Sequence, residues 1–262
     1  MTELKPPLVL DKSFANWKTG SLPNLASNYT LLVPSAFYYE VFTTEWKNRV
    51  RELKNFPSFR RIHIPSLQRL ESETGRAAAS IDAPELGINP EVENESWRLG
   101  AEYVTTLEKY RAASVQPAVD FWRQVLALKG VPGFSEPELA ATKGTPEEFI
   151  RLCELLRSER RVRRIADNIG WAHVAKLDSG WFHFRLFQAW ALQGLVLLRR
   201  YPNPGDAVGE TRLEHDVQDI EYLSLGLHAG ALATAESSND LKKASMSWRF
   251  RILDPSGLLI KP

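Results

Sequence analysis

The stretch PLVLDKS, residues 7–13, contains a four-residue apolar run between Pro6 and Asp11. A run this short between two breakers predicts a central strand of a parallel sheet, because such a strand is buried on both faces. In open α/β sheets the chemistry gathers at the carboxyl ends of the strands. The sequence therefore predicts that Asp11, Lys12 and Ser13 lie at the functional edge of a sheet.

Other short apolar or alternating runs predict further strands at 30–34, 59–65, 231–233 and 247–253. The segments between them predict helices at 35–56, from Asp216 or Asp219 to about His228, and at 240–244. Because strands that alternate with helices need crossover connections, this order predicts a mainly parallel sheet with helices on both faces.

The middle of the chain, about 66–200, is predominantly helical in its patterning. The clearest signals are two amphipathic stretches, a helix opened by a capping Thr145-Pro146-Glu147-Glu148, and a long apolar helix. These segments are 95–112, 117–130, 145–168 and 180–201. We therefore predict a core formed by 1–58 and 205–262, with a helical insertion at 59–204 packed on it.

The composition narrows the class of protein. A chain of 262 residues with a net charge of +1 lacks the global basicity of many nucleic-acid-binding proteins, so any such binding must come from local patches. Cys153 is the single cysteine, which excludes a disulfide framework and fits a reducing cytosol. The first residues lack a signal-peptide pattern. Polar residues interrupt the apolar run 181–198, so we predict a core helix there and not a membrane-spanning helix. We therefore expect a cytoplasmic protein without a membrane partner.

Acidic residues recur at the predicted ends of these elements. Several carboxylates gathered at one edge cannot all stay ionised without a cation, and oxygen ligands favour Mg²⁺ or Mn²⁺. Helix capping is the alternative for the two aspartates of the 216–228 helix. Glu40 interrupts the aromatic run FYYEVF, where a carboxylate needs a partner. The candidate metal ligands are Asp11, Glu40, Asp216, Asp219, Glu236 and Asp240.

Three segments together resemble the PIN-domain family of metal-dependent nucleases. They are LVLDKSF near the start, VPSAFYYEVF after the second strand, and DIEYLSLGLHAGALATAESSNDLKKA near the end, and the closing FRILDPSGLL is also similar. The resemblance implies a three-layer, Rossmann-like α/β/α PIN fold with the helical region as a large insertion. It covers about 1–55 and 205–262.

The resemblance also implies roles for individual residues. Asp11, Glu40 and Asp219 match the first three acids of the family, and Asp216 is an additional acid. Glu236 stands in a Thr-x-acid pattern where the family usually has Asp, and Asp240 is the other candidate for this fourth acid. The implied substrate contacts are Ser13, Thr234, Lys242 and Lys243.

Haloacid-dehalogenase-like phosphotransferases also place an Asp after the first strand and are an alternative family for this segment. They need a second Asp at the position of Ser13, which makes this alternative unfavourable.

The arginine cluster at 160–164 has two interpretations, a contact surface for a phosphate backbone and a solvated helix face. Cys153 and His183 are interpreted as core residues. The same holds for Trp171, Trp181 and Trp190, which are read as core rather than as stacking platforms for bases.

Two functions remain open at this point. The first is a metal-dependent ribonuclease that acts on RNA. The resemblance to PIN domains also allows such an enzyme to be a toxin or defence effector, with an antitoxin or another protein as its partner. The alternative is a non-catalytic PIN-like module that binds RNA or protein. The oligomeric state is open, and a homodimer is one possibility.

Overall fold

The structure is a computed structural model that describes part of the chain. The described residues are 5–15, 22–34, 36–37, 40, 61–64, 70, 73–74, 112, 115–202, 209–235, 248 and 251–253. Of these, Ala15, 22–24, 61–64 and Glu210 are described by their backbone alone. The predicted helices at 95–112 and 240–244 fall almost wholly outside these ranges. In the predicted 35–56 helix only Ala36, Phe37 and Glu40 are described, and all three are helical.

A parallel sheet of five strands is built from both ends of the chain, in the order β3-β2-β1-β4-β5. The strands are β1 (Pro7–Leu10), β2 (Thr30–Pro34), β3 (Arg61–Ile64), β4 (Ala231–Ala233) and β5 (Arg251–Leu253). Each lies within a segment predicted to form a strand. Of the predicted last strand, 247–253, the structure describes Trp248, which lies in a turn, and the strand from Arg251 to Leu253.

The central strand of this sheet is β1, which pairs with β2 on one side and with β4 on the other. Val9 is opposite Leu32 in β2 and opposite Leu232 in β4. The chain order reverses between β1 and β4, and in open α/β sheets the crevice at such a reversal is the usual binding site. Asp11 and Thr234 directly follow these two strands.

Some helices of the described ranges pack on the sheet, while those of the middle region pack mainly on one another. They are α1 (Lys12–Ala15), α2 (Leu22–Asn28), α3 (Gln116–Leu128), α4 (Glu136–Leu139), α5 (Pro146–Glu154), α6 (Glu159–Asn168), α7 (Phe182–Arg200) and α8 (Glu210–Ala229). Short 3₁₀ turns occupy Ala140–Lys143, Leu155–Arg157 and Val174–Lys176. The predicted start at Thr145 is confirmed, since its hydroxyl accepts a hydrogen bond from the Glu148 N–H at 3.2 Å.

Two predicted helix boundaries were wrong. The segment 145–168 is two helices, because a 3₁₀ turn and an extended Ser158 (φ −76°, ψ 122°) separate α5 from α6. The helix α8 begins at Glu210 after Gly209, so Asp216 and Asp219 are interior residues and not N-caps. The helix extends this far back because Leu213 lies on its buried face.

Two apolar clusters form the core. One lies among the helices of the middle region and includes Trp122 and Leu192, while the other lines the sheet and includes Val9 and Phe37. The helix α8 contributes to both, since its residues alternate between the helical cluster and the sheet cluster around its circumference. It therefore joins the two regions through apolar burial.

The molecule is a mixed α/β protein in which a parallel sheet is packed with helices. Within the described part of the chain, no helix combines the length and the apolar character needed to span a bilayer.

Candidate functional site

Asp11 lies at the edge of the sheet, where hydrogen bonds hold both its backbone and its carboxylate. Its backbone N–H continues the β1–β4 ladder by donating to the Ala233 carbonyl at 3.0 Å. Its carboxylate accepts two hydrogen bonds, from the Ser13 N–H to Oδ1 at 3.0 Å and from the Thr234 hydroxyl to Oδ2 at 2.7 Å. With 4% of its surface exposed, Asp11 is a buried carboxylate with a fixed orientation.

Ser13 and Thr234 form a hydroxyl bridge between the two strand ends. Their oxygens Oγ and Oγ1 are 3.2 Å apart, and Ser13 Oγ also accepts the Ala235 N–H at 3.2 Å. The bridge joins residues 221 positions apart in sequence. It fixes the carboxyl ends of β1 and β4 relative to each other, and it holds the Asp11 carboxylate between them.

Glu40 reaches the same edge from the helical turn after β2. Its Oε2 accepts a 2.6 Å hydrogen bond from the hydroxyl of Tyr222, which is 1% exposed. The pKa of Glu40 is raised to about 8: burial is the largest cause and the negative charges of Asp11 and Asp219 add to it, while the Tyr222 hydrogen bond and the positive charge of Lys12 act in the opposite direction. The Glu40 carboxyl is thus held largely protonated near neutral pH.

These electrostatic effects place three predicted acids in one neighbourhood, because Asp11 and Asp219 both act on Glu40. Burial likewise raises the pKa of Tyr222 well above its usual value, and the charges of Glu40 and Asp11 add to this. Within the described ranges, however, no three Asp, Glu, His or Cys side chains are close enough together to hold a metal ion. The donor set itself, carboxylate and hydroxyl oxygens around a protonated acid, suits a hard divalent cation.

Asp216 lies in a different environment, although it is only three residues before Asp219. It is 4% exposed, and its Oδ1 is 3.6 Å from Nε of Arg212 on the same helix. Burial raises its pKa, while the charges of Arg212 and Arg200 and a hydrogen bond with Gln193 lower it. Its partners therefore come from α7 and α8 rather than from the sheet edge.

Several predicted site residues lie outside the described ranges. These are Glu236, Asp240, Lys242 and Lys243. The predicted arginine cluster is described, and its members differ. Arg161 pairs with Glu138 at 2.6 Å, and Arg163 donates to the Leu177 carbonyl at 2.6 Å, whereas Arg160 and Arg164 are exposed on α6.

Sequence reasoning missed two residues that position the site. Tyr222 was read only as part of an apolar helix, yet its hydroxyl holds Glu40. Glu221, 6% exposed, accepts the backbone N–H of Ala36 at 3.0 Å and so caps the turn that carries Glu40. The sequence did contain a signal for these two residues. Glu221 and Tyr222 are polar groups that stand side by side in an otherwise apolar part of the helix, where each needs a hydrogen-bond partner.

Comparison of the chain with protein families, with curated proteins and with solved structures gives no match.

Proposed function

We propose that the protein is a metal-dependent phosphodiesterase that acts on RNA. The observation that supports this most is the raised pKa of Glu40, about 8, beside Asp11 and Asp219 at the topological switch point of a parallel sheet. A carboxyl kept neutral by burial and by acidic neighbours is stabilised in its charged form by a divalent cation, because the cation reverses the local electrostatics.

Asp11, Glu40 and Asp219 would hold Mg²⁺ or Mn²⁺, with Glu236 or Asp240 as further ligands. Such an ion, when bound, lowers the pKa of water and stabilises the charge that develops in phosphodiester cleavage. The chain's own contribution is orientation. Ser13 and Thr234 fix the Asp11 carboxylate, while Tyr222 fixes Glu40.

The choice of RNA as substrate comes from the PIN resemblance. Lys242 and Lys243 are proposed to contact phosphates because this basic pair directly follows the segment of the fourth acid in the sequence. In this proposal the exposed arginines of α6 are additional contacts to the backbone. Binding that depends on such contacts weakens as the salt concentration rises. A role as a toxin or defence effector would follow from the same chemistry.

Incubation of the purified protein with labelled single-stranded RNA and Mn²⁺ tests the proposal. We expect cleavage by the wild type and a loss of at least a hundredfold in Asp11→Asn and in Asp219→Asn. Asp120→Asn is the matched control, because Asp120 is an exposed aspartate on α3 whose described partners are Gln116 and Arg123. It should cleave like the wild type.

Equal cleavage by the wild type, Asp11→Asn and Asp219→Asn would mean that a contaminant is responsible. No cleavage by any variant, together with RNA retained on the wild type in a mobility-shift assay, would favour the alternative of a non-catalytic RNA-binding module. Removal of the metal with EDTA should abolish cleavage and leave the fold intact, as measured by circular dichroism.

A further inference from the structure

A cavity of about 340 Å³ lies on the face of α8 that packs toward the helical region. Its walls come from α7 and α8, from residues 169–171 after α6, from Pro117 of α3 and from Leu70. On α8 it is lined by Val217, Ile220 and Glu221, which point away from the face that bears Asp219 and Tyr222, given the helical period. The cavity therefore lies on the opposite side of α8 from Asp219 and Tyr222, and Glu221 links the two sides because its carboxylate also accepts the Ala36 N–H.

One part of the cavity wall is formed by aromatic rings. The rings of Trp171 and His183 are 5.0 Å apart and inclined by 32°, and Phe187 meets Trp171 edge-on at 5.6 Å. Trp190 meets Phe187 edge-on at 6.3 Å. Walls of this kind favour a planar aromatic guest, because offset stacking and edge contacts add to the energy of apolar burial.

His183 supplies a fixed polar group. Its Nδ1 lies 2.8 Å from Oε2 of Glu73, which is fully buried and also accepts the backbone N–H groups of Phe182 and His183 at 2.6 and 2.9 Å. These bonds fix the ring and leave Nε2 as the remaining polar atom of a side chain that lines the cavity. No hydrogen bond within the described residues uses Nε2. Histidine 183 is itself only 7% exposed.

The electrostatics of the cavity exclude an anionic guest. Glu221 brings a carboxylate to its wall, and none of the described lining residues is Lys or Arg. A phosphate or carboxylate group placed there would lose its hydration and meet a like charge. A long aliphatic chain also fits poorly, because the volume is at the lower end for ligand pockets.

We propose that this cavity binds a single uncharged heteroaromatic ring system of nucleobase size, stacked against Trp171 and hydrogen-bonded to Nε2 of His183. The guest is either a free nucleobase or nucleoside, or an unpaired base of an RNA strand. The second source rests on the proposed nuclease function, whereas the binding itself does not.

Ligand-observed NMR and calorimetry with adenine and with benzoate, on the full chain, test the proposal. We expect binding of adenine and at least tenfold weaker binding of benzoate, which is aromatic but anionic. Leu186→Trp and Ile169→Trp each place a large ring into the cavity from a half-buried lining position. Each should weaken adenine binding at least tenfold.

Trp248→Phe is the matched control, because Trp248 is a partly buried tryptophan outside the cavity lining, and its indole N–H donates to the Cys153 carbonyl. It should bind adenine like the wild type. Absence of adenine binding to the folded wild type would overturn the proposal. So would unchanged binding in both filling variants, and so would benzoate binding as tight as that of adenine.

A short single-stranded oligoribonucleotide distinguishes the two sources of the guest. It is titrated into Asp11→Asn, which is not expected to cleave it, with and without Leu186→Trp. Weaker oligonucleotide binding in the double variant identifies a base of the strand as the guest, and unchanged binding identifies the free base. Because adenine binding is measured without cleavage, failure of the nuclease assay leaves this result intact.

Discussion

Glu40 and Glu73 are the same residue type in two regions of the molecule, and their environments shift their pKa values in opposite directions. At the edge of the sheet, burial and two neighbouring acids raise the pKa of Glu40 to about 8. At the start of α7, burial also opposes ionisation of Glu73, but its hydrogen bonds with His183 and with two backbone N–H groups outweigh this and lower its pKa. The charge of Glu73 is therefore compensated by groups of the helical region.

The balance at the sheet edge is different. Glu40 accepts a hydrogen bond from the Tyr222 hydroxyl and lies near the positive charge of Lys12, but burial and the charges of Asp11 and Asp219 outweigh both. Under the proposed function, this difference separates the structural carboxylate of Glu73 from the metal ligand Glu40. An acid whose pKa is raised in this way is costly to the fold, and such groups concentrate at sites that bind a further ligand.

The largest effect is expected for Glu73→Ala. The substitution leaves the His183 ring and two buried N–H groups at the start of α7 without their acceptor, so we expect the free energy of unfolding to fall by about 3–5 kcal/mol. Urea denaturation measures this change. Glu154→Ala, at an exposed site of α5, is the control and should change stability by less than about 0.5 kcal/mol. A loss no larger than the control's would remove the claim that Glu73 is compensated within the fold.

Glu40→Gln should act in the opposite direction. The folded pKa of Glu40, about 8, lies above its ordinary 4.5, so its contribution to stability is complete below pH 4.5 and is lost as the pH rises toward 8. In EDTA at pH 8 we expect the variant to be more stable than the wild type, by on the order of 2 kcal/mol after allowance for solvent screening at a half-buried group.

The same comparison at pH 4.5 provides the control for Glu40→Gln. There the wild-type carboxyl is protonated and resembles the amide, so the gain in stability should disappear. A variant that is less stable than the wild type at pH 8 would show that the Glu40 charge is already compensated in the metal-free protein.

Tyr222→Phe should cost about 1 kcal/mol, the typical net value of a hydrogen bond, because it removes the donor to Glu40 without creating a cavity. A double-mutant cycle with Glu40→Gln measures how much of this loss belongs to the pair. Tyr201→Phe is the control, since the Tyr201 hydroxyl makes no hydrogen bond with a described residue. Coupling near zero would mean that the Tyr222 hydroxyl does not position Glu40.

The smallest effect on stability is expected for Ser13→Ala, about 0.5 kcal/mol, because the Thr234 hydroxyl still donates to Asp11. If the bridge orients Asp11, the affinity for Mn²⁺ should fall severalfold even though the fold is nearly unaffected. Thermal unfolding with and without Mn²⁺ measures both quantities. A large loss of stability with unchanged metal affinity would make the bridge purely structural.

The sheet was largely predictable from the sequence, because short apolar runs between breakers identify buried strands and because strand ends place Asp11 and Thr234 at one edge. The start of α8 was not predicted, since its first turns are polar and the buried Leu213 was not counted with Val217 and Ile220, which follow it at helical spacing.

The partners of the carboxylates were the least predictable part. Glu73 lies in a polar stretch, SLQRLESETG, and nothing local shows that it caps a helix that begins 109 residues later. Glu221 caps the Ala36 turn across 185 residues. Such contacts depend on how the helical region packs against the sheet, which sequence patterns do not encode.

The central claim is that a divalent cation compensates the carboxylates of the sheet edge, which the positive charge of Lys12 offsets only in part. Calorimetric titration of Mn²⁺ into the wild type, Asp11→Asn, Glu40→Gln and Asp219→Asn at pH 7.5, in two buffers of different ionisation enthalpy, tests it most directly. We predict that the wild type binds Mn²⁺ with release of protons from Glu40, and that each variant loses at least tenfold in affinity. Wild-type binding without proton release, or affinities equal in all four proteins, would contradict the account.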